Sequence, residues 1–450
     1  MIKATSQKGE NPATGILRPV ATERTDTELP VEGALPPDLE GLYVRTSFNP
    51  HPSALGGPHS HPFQSDGMLH GVRISRGQVH WYRNRWVMTD SLAVATGRQP
   101  LPGHDRAWAP NTANTHVISH AGHLLALCEV GMPYELSPEL ETIGRYDFDG
   151  SLTTNMTAHP KSDPETGDLH FFAYRPRSPF VTYYRANSSG RITCCATVDV
   201  AGPTIMHDFA ITKHFALFLD QPLVFRRSGT PSGGLPFQWD PTYPSRIGLL
   251  KTDQPDSGIR WFELETPYIS HVMNAFEDGD DVVLRAVASD AFTLTGELPP
   301  PSLAITLREW RLNLMTGRVR QTDLADIPAE LPRIDERRIG RPHRYGYAME
   351  VRPQESWTTS GGLVKYDFAA GTVTIHDFGP HIRAGEPVFV PAHELADEDE
   401  GWVLSYLYDE RDDCSRLAVL DAQSFDTAPL AMVTLPQRVA FGAHGSWIPG

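Results

Sequence analysis

A chain of 450 residues is long for one simple core, so its length fits either a large closed β architecture or a division into two or three domains. Lys and Arg total 39 against 55 Asp and Glu, a formal charge of −16, which argues against nucleic acid and against broad electrostatic binding to anionic lipid. No run reaches the roughly 18 apolar residues of a membrane span. Met1 to Glu10 carry no apolar signal core. Cys128, Cys194, Cys195 and Cys414 fit neither a zinc knuckle nor a disulfide framework, so a reduced, cytoplasmic protein is expected.

From the N-terminus, residues 1–28 are polar and predicted to be a frayed segment, leaving 29–450 as one domain. Beyond them helical periodicity is nearly absent. Short alternating or continuous apolar runs recur instead, at His116-Val117-Ile118, Leu124-Leu125-Ala126-Leu127, Phe215-Ala216-Leu217-Phe218-Leu219 and Val282-Val283-Leu284. Gly-centred turns at Thr166-Gly167-Asp168, Ser188-Ser189-Gly190-Arg191, Met315-Thr316-Gly317-Arg318 and Ala369-Ala370-Gly371-Thr372 punctuate them as hairpins. Cys194 and Cys195 share a strand-like run and would point to opposite faces, as small hydrophobes rather than a redox pair.

Hairpins along the whole length, without strand–helix alternation, predict an all-β fold: sandwich, barrel or propeller. At roughly 40 residues per four-stranded blade, a propeller would hold about seven blades. Three loop-rich insertions, 90–111, 226–246 and 292–302, mix apolar residues with Pro and Gly and are expected to cap one face.

Four histidines, His159, His207, His271 and His444, lie in short apolar segments separated by 48, 64 and 173 residues, so only a fold that returns to one axis can join them. His116, His120 and His123 are closer together, but odd separations on a strand face opposite ways and Ala121-Gly122 reads as a turn. Imidazole binds neutral and suits Fe, Zn, Cu or Ni, so four of them leave a divalent charge uncancelled and call for carboxylates behind them. Glu129, Glu330 and Glu386 sit in apolar surroundings where an unpaired charge is costly, which fits that place and leaves one histidine unsupported.

The motifs then point to a family. Val31-Glu32-Gly33-Ala34-Leu35-Pro36-Pro37-Asp38-Leu39-Glu40-Gly41, Asp66-Gly67-Met68-Leu69-His70, Ala113-Asn114-Thr115, Thr157-Ala158-His159-Pro160, Met206-His207-Asp208-Phe209, Arg344-Tyr345-Gly346-Tyr347, Gly385-Glu386-Pro387-Val388-Phe389-Val390-Pro391 and Phe441-Gly442-Ala443-His444-Gly445 occur in order. From about Val31 onward the chain resembles the carotenoid cleavage oxygenases. It departs from them at Thr46-Ser47-Phe48-Asn49-Pro50, where a glycine is more usual, and at Ser65 before Asp66.

The resemblance implies a seven-bladed β-propeller with a loop and helical cap and a non-haem Fe(II) on its axis. It places the iron ligands at His159, His207, His271 and His444, the supporting carboxylates at Glu129, Glu330 and Glu386, and a threonine beside the open coordination position at Thr115. The implied reaction uses O2 to split an alkene of a carotenoid or apocarotenoid into two carbonyl products. Phe63, Trp108, Phe225, Phe237 and Trp447 are the candidate lining of a tunnel for the hydrophobic polyene, and the cap is expected to touch a membrane that holds it. A phenolic stilbene or phenylpropenoid is the alternative substrate. That branch resembles itself in a tyrosine and a lysine on the phenol, whereas here Cys128 stands in the lysine's place and no tyrosine occurs between Tyr82 and Tyr134. A retinoid isomerase and a non-catalytic propeller scaffold are the remaining readings.

Overall fold

The computed structural model describes residues 15–54, 62–101, 105–226, 235–265, 268–289, 305–352 and 360–450. They form seven antiparallel sheets arranged as the blades of a propeller, plus one two-stranded hairpin. Blade 1 contains Gly41–Phe48, Gly67–Ser75 and Gln78–Trp86; blade 2 runs from His116–His120 to Thr142–Arg145; blade 3 from Lys161–Ser162 to Ile192–Val198. Blade 4 spans Phe209–Ile211 to Ile259–Glu263, blade 5 Tyr268–Asp278 to Val319–Asp323, and blade 6 Ala329–Arg333 to Thr372–His376. In blade 7, Ile382–Ala384 and Val388–Pro391 both pair with Gly401–Asp409, followed outward by Cys414–Asp421 and Ala431–Thr434.

What makes a ring of these sheets is burial on both faces. In the strand Leu169–Tyr174, Leu169, Phe171 and Ala173 join a cluster with Leu125 and Leu127 of blade 2, while Phe172 and Tyr174 join one with Phe209 and Phe218 of blade 4. Each of the seven blade-to-blade seams has its own apolar cluster. The period-two alternation of a strand therefore sends successive side chains to different neighbours, and the continuous apolar runs of the sequence are the mark of a sheet covered twice.

Both ends of the chain close the ring. The last strand, Gly445–Pro449, pairs with Gly41–Phe48 in the register Tyr43 to Trp447 and becomes the innermost strand of blade 1. Val31–Gly33 adds to Ala431–Thr434 as the outermost strand of blade 7. The frayed segment expected over 1–28 needs correction from residue 15 onward. Arg24–Asp26 pairs with Gln78–Trp86 as an outer edge of blade 1, and the Asn84 side chain bonds Arg24 N–H and Thr22 O. A polar strand can hold such an edge through backbone bonds alone, leaving no hydrophobic pattern to read.

Asp90–Ala95 is the one α-helix among the described residues, capped by the Thr89 hydroxyl on Leu92 N–H. It lies in the first expected cap insertion; in the second, 226–246, Phe237–Trp239 pairs back onto Leu223–Phe225 just before it. The third, 292–302, lies outside the described residues. Among the described residues no helix is long and apolar enough to cross a membrane. Because the closing strand supplies five residues of register to blade 1, a chain truncated after His444 is expected to lose its cooperative unfolding transition, as measured by circular dichroism in a denaturant titration; an unchanged midpoint would refute the closure.

Candidate metal centre on the propeller axis

Each blade begins at the axis and is built outward, so the starts of the inner strands collect at one end of the ring. Those seven starts carry the candidate residues. Thr115 and His444 immediately precede His116–His120 and Gly445–Pro449; His159, His207 and Glu386 lie two residues before Lys161–Ser162, Phe209–Ile211 and Val388–Pro391. His271 and Glu330 sit inside the first turns of Tyr268–Asp278 and Ala329–Arg333. Both lie at irregularities in the strand register, between Ile269 and Val272 and between Glu330 and Arg333, where a bulge re-aims a side chain. Leu331 and Ala113 take up left-handed backbone beside Glu330 and Thr115 (φ 52° and 45°), a conformation costly enough for ordinary residues to be kept mainly where function needs it.

The four imidazoles meet. Ring centroids are 4.4 Å apart for His159 and His207, 4.5 Å for His159 and His444, 4.8 Å for His207 and His271, and 5.1 Å for His271 and His444. Behind three of them stand the expected carboxylates. His271 Nδ1 donates to Glu330 Oε2 at 2.7 Å, His444 Nδ1 to Glu386 Oε1 at 2.9 Å, and His207 Nδ1 to Glu129 Oε1. His159 has no such partner: Asp208 Oδ1 is 3.9 Å from its Nδ1, and Asp208 is occupied by Lys161 Nζ at 2.8 Å and by the N–H of Val272 and Phe209.

Those bonds decide what the rings offer the axis. An ionised carboxylate only accepts, so each supported ring keeps its proton on Nδ1 and turns a bare Nε2 lone pair inward. His207 Nε2 and His271 Nε2 face each other at 3.0 Å, and His159 Nε2 is buried without a partner. Two lone pairs at that separation repel unless a proton or a cation lies between them. Nitrogen atoms of His159, His271 and His444 all fall within 4.8 Å of one another. The donor set therefore fits a metal ion that accepts neutral nitrogen ligands.

Electrostatics keep the supporting carboxylates ionised and His159 neutral, while His271 is pulled the other way. Burial alone would raise the Glu330 carboxyl, but the His271 ring, the Ser270 hydroxyl and Leu331 N–H outweigh it and hold the group at about 2. Glu386 is likewise held well below the usual carboxylate range, against its burial, first by Arg333 at 3.0 Å and then by His444. Burial, then the neighbouring rings, drives His159 well below its ordinary value. For His271 the burial penalty is overcome by Glu330 and the ring is raised.

Above the quartet opens a cavity of about 630 Å3, within the range of small-molecule sites of roughly 300–1,000 Å3. His207, His271, His444 and Thr115 are on its wall; Thr115 Oγ1 donates to Asn114 Oδ1 and its carbonyl accepts the N–H of His444. Of the expected tunnel residues, Phe63, Trp108 and Phe237 line it. Phe225 is instead a second layer, its ring 4.9 Å from Trp108 and 5.9 Å from Phe237. Trp447 is corrected outright: on the closing strand it pairs with Tyr43 and packs into the seam between blades 7 and 1, away from the cavity.

Other residues of the site went unread in the sequence. Tyr174 donates its hydroxyl to Glu129 Oε2, so that carboxylate is held at both oxygens. Arg333 and Ser270 hold Glu386 and Glu330, and Phe48, Phe441 and Tyr268 add aromatic wall. His116, set aside in the sequence with His120 and His123, is half-buried beside His444, bonding Ala158 O and Ser446 Oγ. Alternation along Leu169–Tyr174 could have indicated Tyr174, its last residue; nothing local marks Arg333, Ser270, Phe48, Phe441 or Tyr268.

The model of the retinal pigment epithelial membrane protein family, RPE65, matches residues 17–449. The chain is 34% identical to a carotenoid cleavage oxygenase of Mycobacterium tuberculosis across the whole of both chains, and 33% identical to a carotenoid 9,10(9',10')-cleavage dioxygenase of Arabidopsis thaliana, covering 94% of this chain and 86% of the other. It belongs to the RPE65 and carotenoid cleavage oxygenase family. Among solved structures, a lignostilbene dioxygenase of Pseudomonas brassicacearum superposes with TM-score 0.89 at 28% identity, covering 99% of this chain and all of that one. A cobalt-substituted apocarotenoid oxygenase of Synechocystis gives 0.85 at 26%, covering 96% and 97%.

For this oxygenase-family chain, Glu129→Gln is expected to retain the fold but to hold a metal ion loaded into the centre about 10- to 100-fold more weakly, because the amide cannot fix the His207 tautomer as the carboxylate does. Metal retained after dialysis against graded chelator, with a thermal melt as the fold control, measures it; retention equal to the parent protein would remove Glu129 from the centre.

Proposed function

We infer that the protein is a non-haem Fe(II) dioxygenase that cleaves a C=C bond of a carotenoid or apocarotenoid, giving two carbonyl products. The observation that carries this is the meeting of four imidazoles, of which the three backed by carboxylates stand on the wall of an apolar cavity. The proposed ligands are His159, His207, His271 and His444, and ferrous iron held by them would supply the place where O2 and an alkene react.

The remaining work falls to the chain itself. Glu129, Glu330 and Glu386 orient the rings and balance the ion's charge, and all three are engaged in doing so. No carboxylate on the cavity wall among the described residues is left over as a general acid or base, which suits a reaction whose protein contribution is positioning and the exclusion of water. Thr115 stands at the cavity side of the rings, where an incoming double bond would pass. Phe63, Trp108 and Phe237 supply apolar surface for a polyene. The identities to relatives named as carotenoid oxygenases, 34% and 33%, support that substrate class.

Cleavage of a phenolic stilbene is the second reading, favoured by the 0.89 superposition on the lignostilbene dioxygenase. Against it, the cavity wall presents the thiol of Cys128, bonded weakly to Thr112 Oγ1 at 3.5 Å, in the position where that branch resembles itself in carrying a lysine. The discriminating experiment is anaerobic Fe(II) loading, then aerobic incubation with carotenoids, apocarotenals, a resveratrol-like stilbene and an isoeugenol-like phenol, with products identified by mass spectrometry. Iron near one equivalent and aldehydes from the polyenes are expected. His271→Ala is expected to abolish both iron retention and turnover. Absence of bound metal with full stability in chelator would instead favour a scaffold, and an isomerised, uncleaved product would favour an isomerase.

A further inference from the structure

Arg45 is an expensive residue in its position. It belongs to the inner part of blade 1, paired with Gly445 directly after His444, and is only 5% exposed. Its Nη2 donates to the Ala440 carbonyl at 2.8 Å, and its Nε is buried with no partner. Among the described residues no carboxylate hydrogen-bonds to it; Tyr43, Glu386 and Tyr406, whose ring centre is 5.6 Å from the guanidinium carbon, act on it only electrostatically. A guanidinium stays charged even when buried, and leaving such a charge unpaired costs several kcal/mol in general. Packing alone would be served as well by an uncharged side chain of the same volume.

The residue borders the cavity. Arg45 is on its wall together with Gly385, Tyr406, Val439, Phe441 and Gly442, and its Nη1 stands 2.6 Å from where a Cβ on Gly385 would be. The absence of that Cβ leaves the guanidinium room beside the wall. The other arginines of the wall are neutralised: Arg383 by Glu410 at 2.9 and 3.0 Å, and Arg352 by Asp377 at 3.2 Å. The acids of the wall, Glu129 and Glu330, are both committed to histidines. Among the described residues Arg45 is thus the one arginine of the apolar wall with no carboxylate hydrogen-bonded to it, Glu386 acting on it at longer range.

We propose that Arg45 is a substrate-binding residue that receives the carboxylate terminus of a linear polyene, making acid-terminated polyenes the substrate class this cavity selects. The proposal rests on the reading of the cavity as the polyene site. Aromatic and aliphatic wall takes up the chain, and the guanidinium gives its terminal oxygens a charge-assisted hydrogen bond of the kind arginine makes with carboxylates. The acid thereby supplies the partner that the fold withholds, and a hydrocarbon end group leaves it missing.

The test measures binding without turnover. Iron-loaded protein, kept anaerobic, is titrated with trans-parinaric acid, a linear conjugated fatty acid, and with its methyl ester, following probe fluorescence. The acid is expected to bind about tenfold more tightly than the ester, as suits a hydrogen bond to a charged group. Arg45→Gln should bring the acid down to the ester's affinity and leave the ester unchanged, and Arg45→Lys should keep part of the preference. Gly385→Ala, whose methyl crowds Nη1, should weaken the acid alone and serves if Arg45→Gln does not fold. Equal binding of acid and ester by the parent protein, or a preference that survives Arg45→Gln or Gly385→Ala, would overturn the proposal. Failure of the dioxygenase reading would show separately, as absent iron or absent carbonyl products with the acid preference intact.

Discussion

A strand apolar on both faces must be covered on both, and in this chain that requirement leaves a closed ring as the solution. Leu42 and Val44 turn to blade 2 while Tyr43 between them turns to blade 7. Repeated through every blade, this alternation ties each sheet to two neighbours by apolar seams and leaves no seam for water. At about 25 cal/mol per Å2 of apolar area buried, such seams are the main favourable term, and they are non-directional. Direction comes from the strands themselves, whose starts all gather at one end of the axis.

Because the seams hold the ring, the axis can be polar. Glu386, Glu330, Arg333, Asp208 and four histidines occupy the centre of the molecule, where unpaired charge would be ruinous, and they are bonded to one another almost completely. Single removal is correspondingly costly, since the partner left behind is buried and unpaired. The carboxylate–imidazole bonds also have a directional consequence: by fixing the proton on Nδ1 they fix the lone pair on Nε2, and three seams' worth of packing fixes where that lone pair points.

How much of this is visible in the chain's order of residues follows from the same physics. Continuous apolar runs such as Phe215–Leu219 announced strands covered twice, and the length set about seven blades. The quartet could be named only through motif resemblance, because ligands 48, 64 and 173 residues apart have no local signature. Edge strand Arg24–Asp26 was illegible since its stabilisation is backbone pairing and the Asn84 amide. Trp447 does not reach the cavity. On the closing strand, parity sends it to the seam with blade 7, while Ser446 and Ile448 face the other way, and Phe441, before the strand begins, reaches the cavity instead.

The two ends of the axial site differ in a way that bears on reactivity. His207, His271 and His444 are on the wall of the apolar cavity, but His159 is not; with His116, Lys161, Asp208 and Arg333 it lines a smaller cleft of about 90 Å3, which His271 and His444 also border. His159 is also the ring without a carboxylate and the one that burial and its neighbours hold most firmly neutral. Whatever the four rings hold is therefore backed by His159 and its charged surroundings and approached from the apolar side. The carboxylates on the apolar side, Glu129 and Glu330, are both committed to histidines, so a molecule entering there meets no wall carboxylate free to exchange a proton among the described residues. The ring can set an apolar approach beside a charged support because its seams run on either side of the axis and leave each end free to differ.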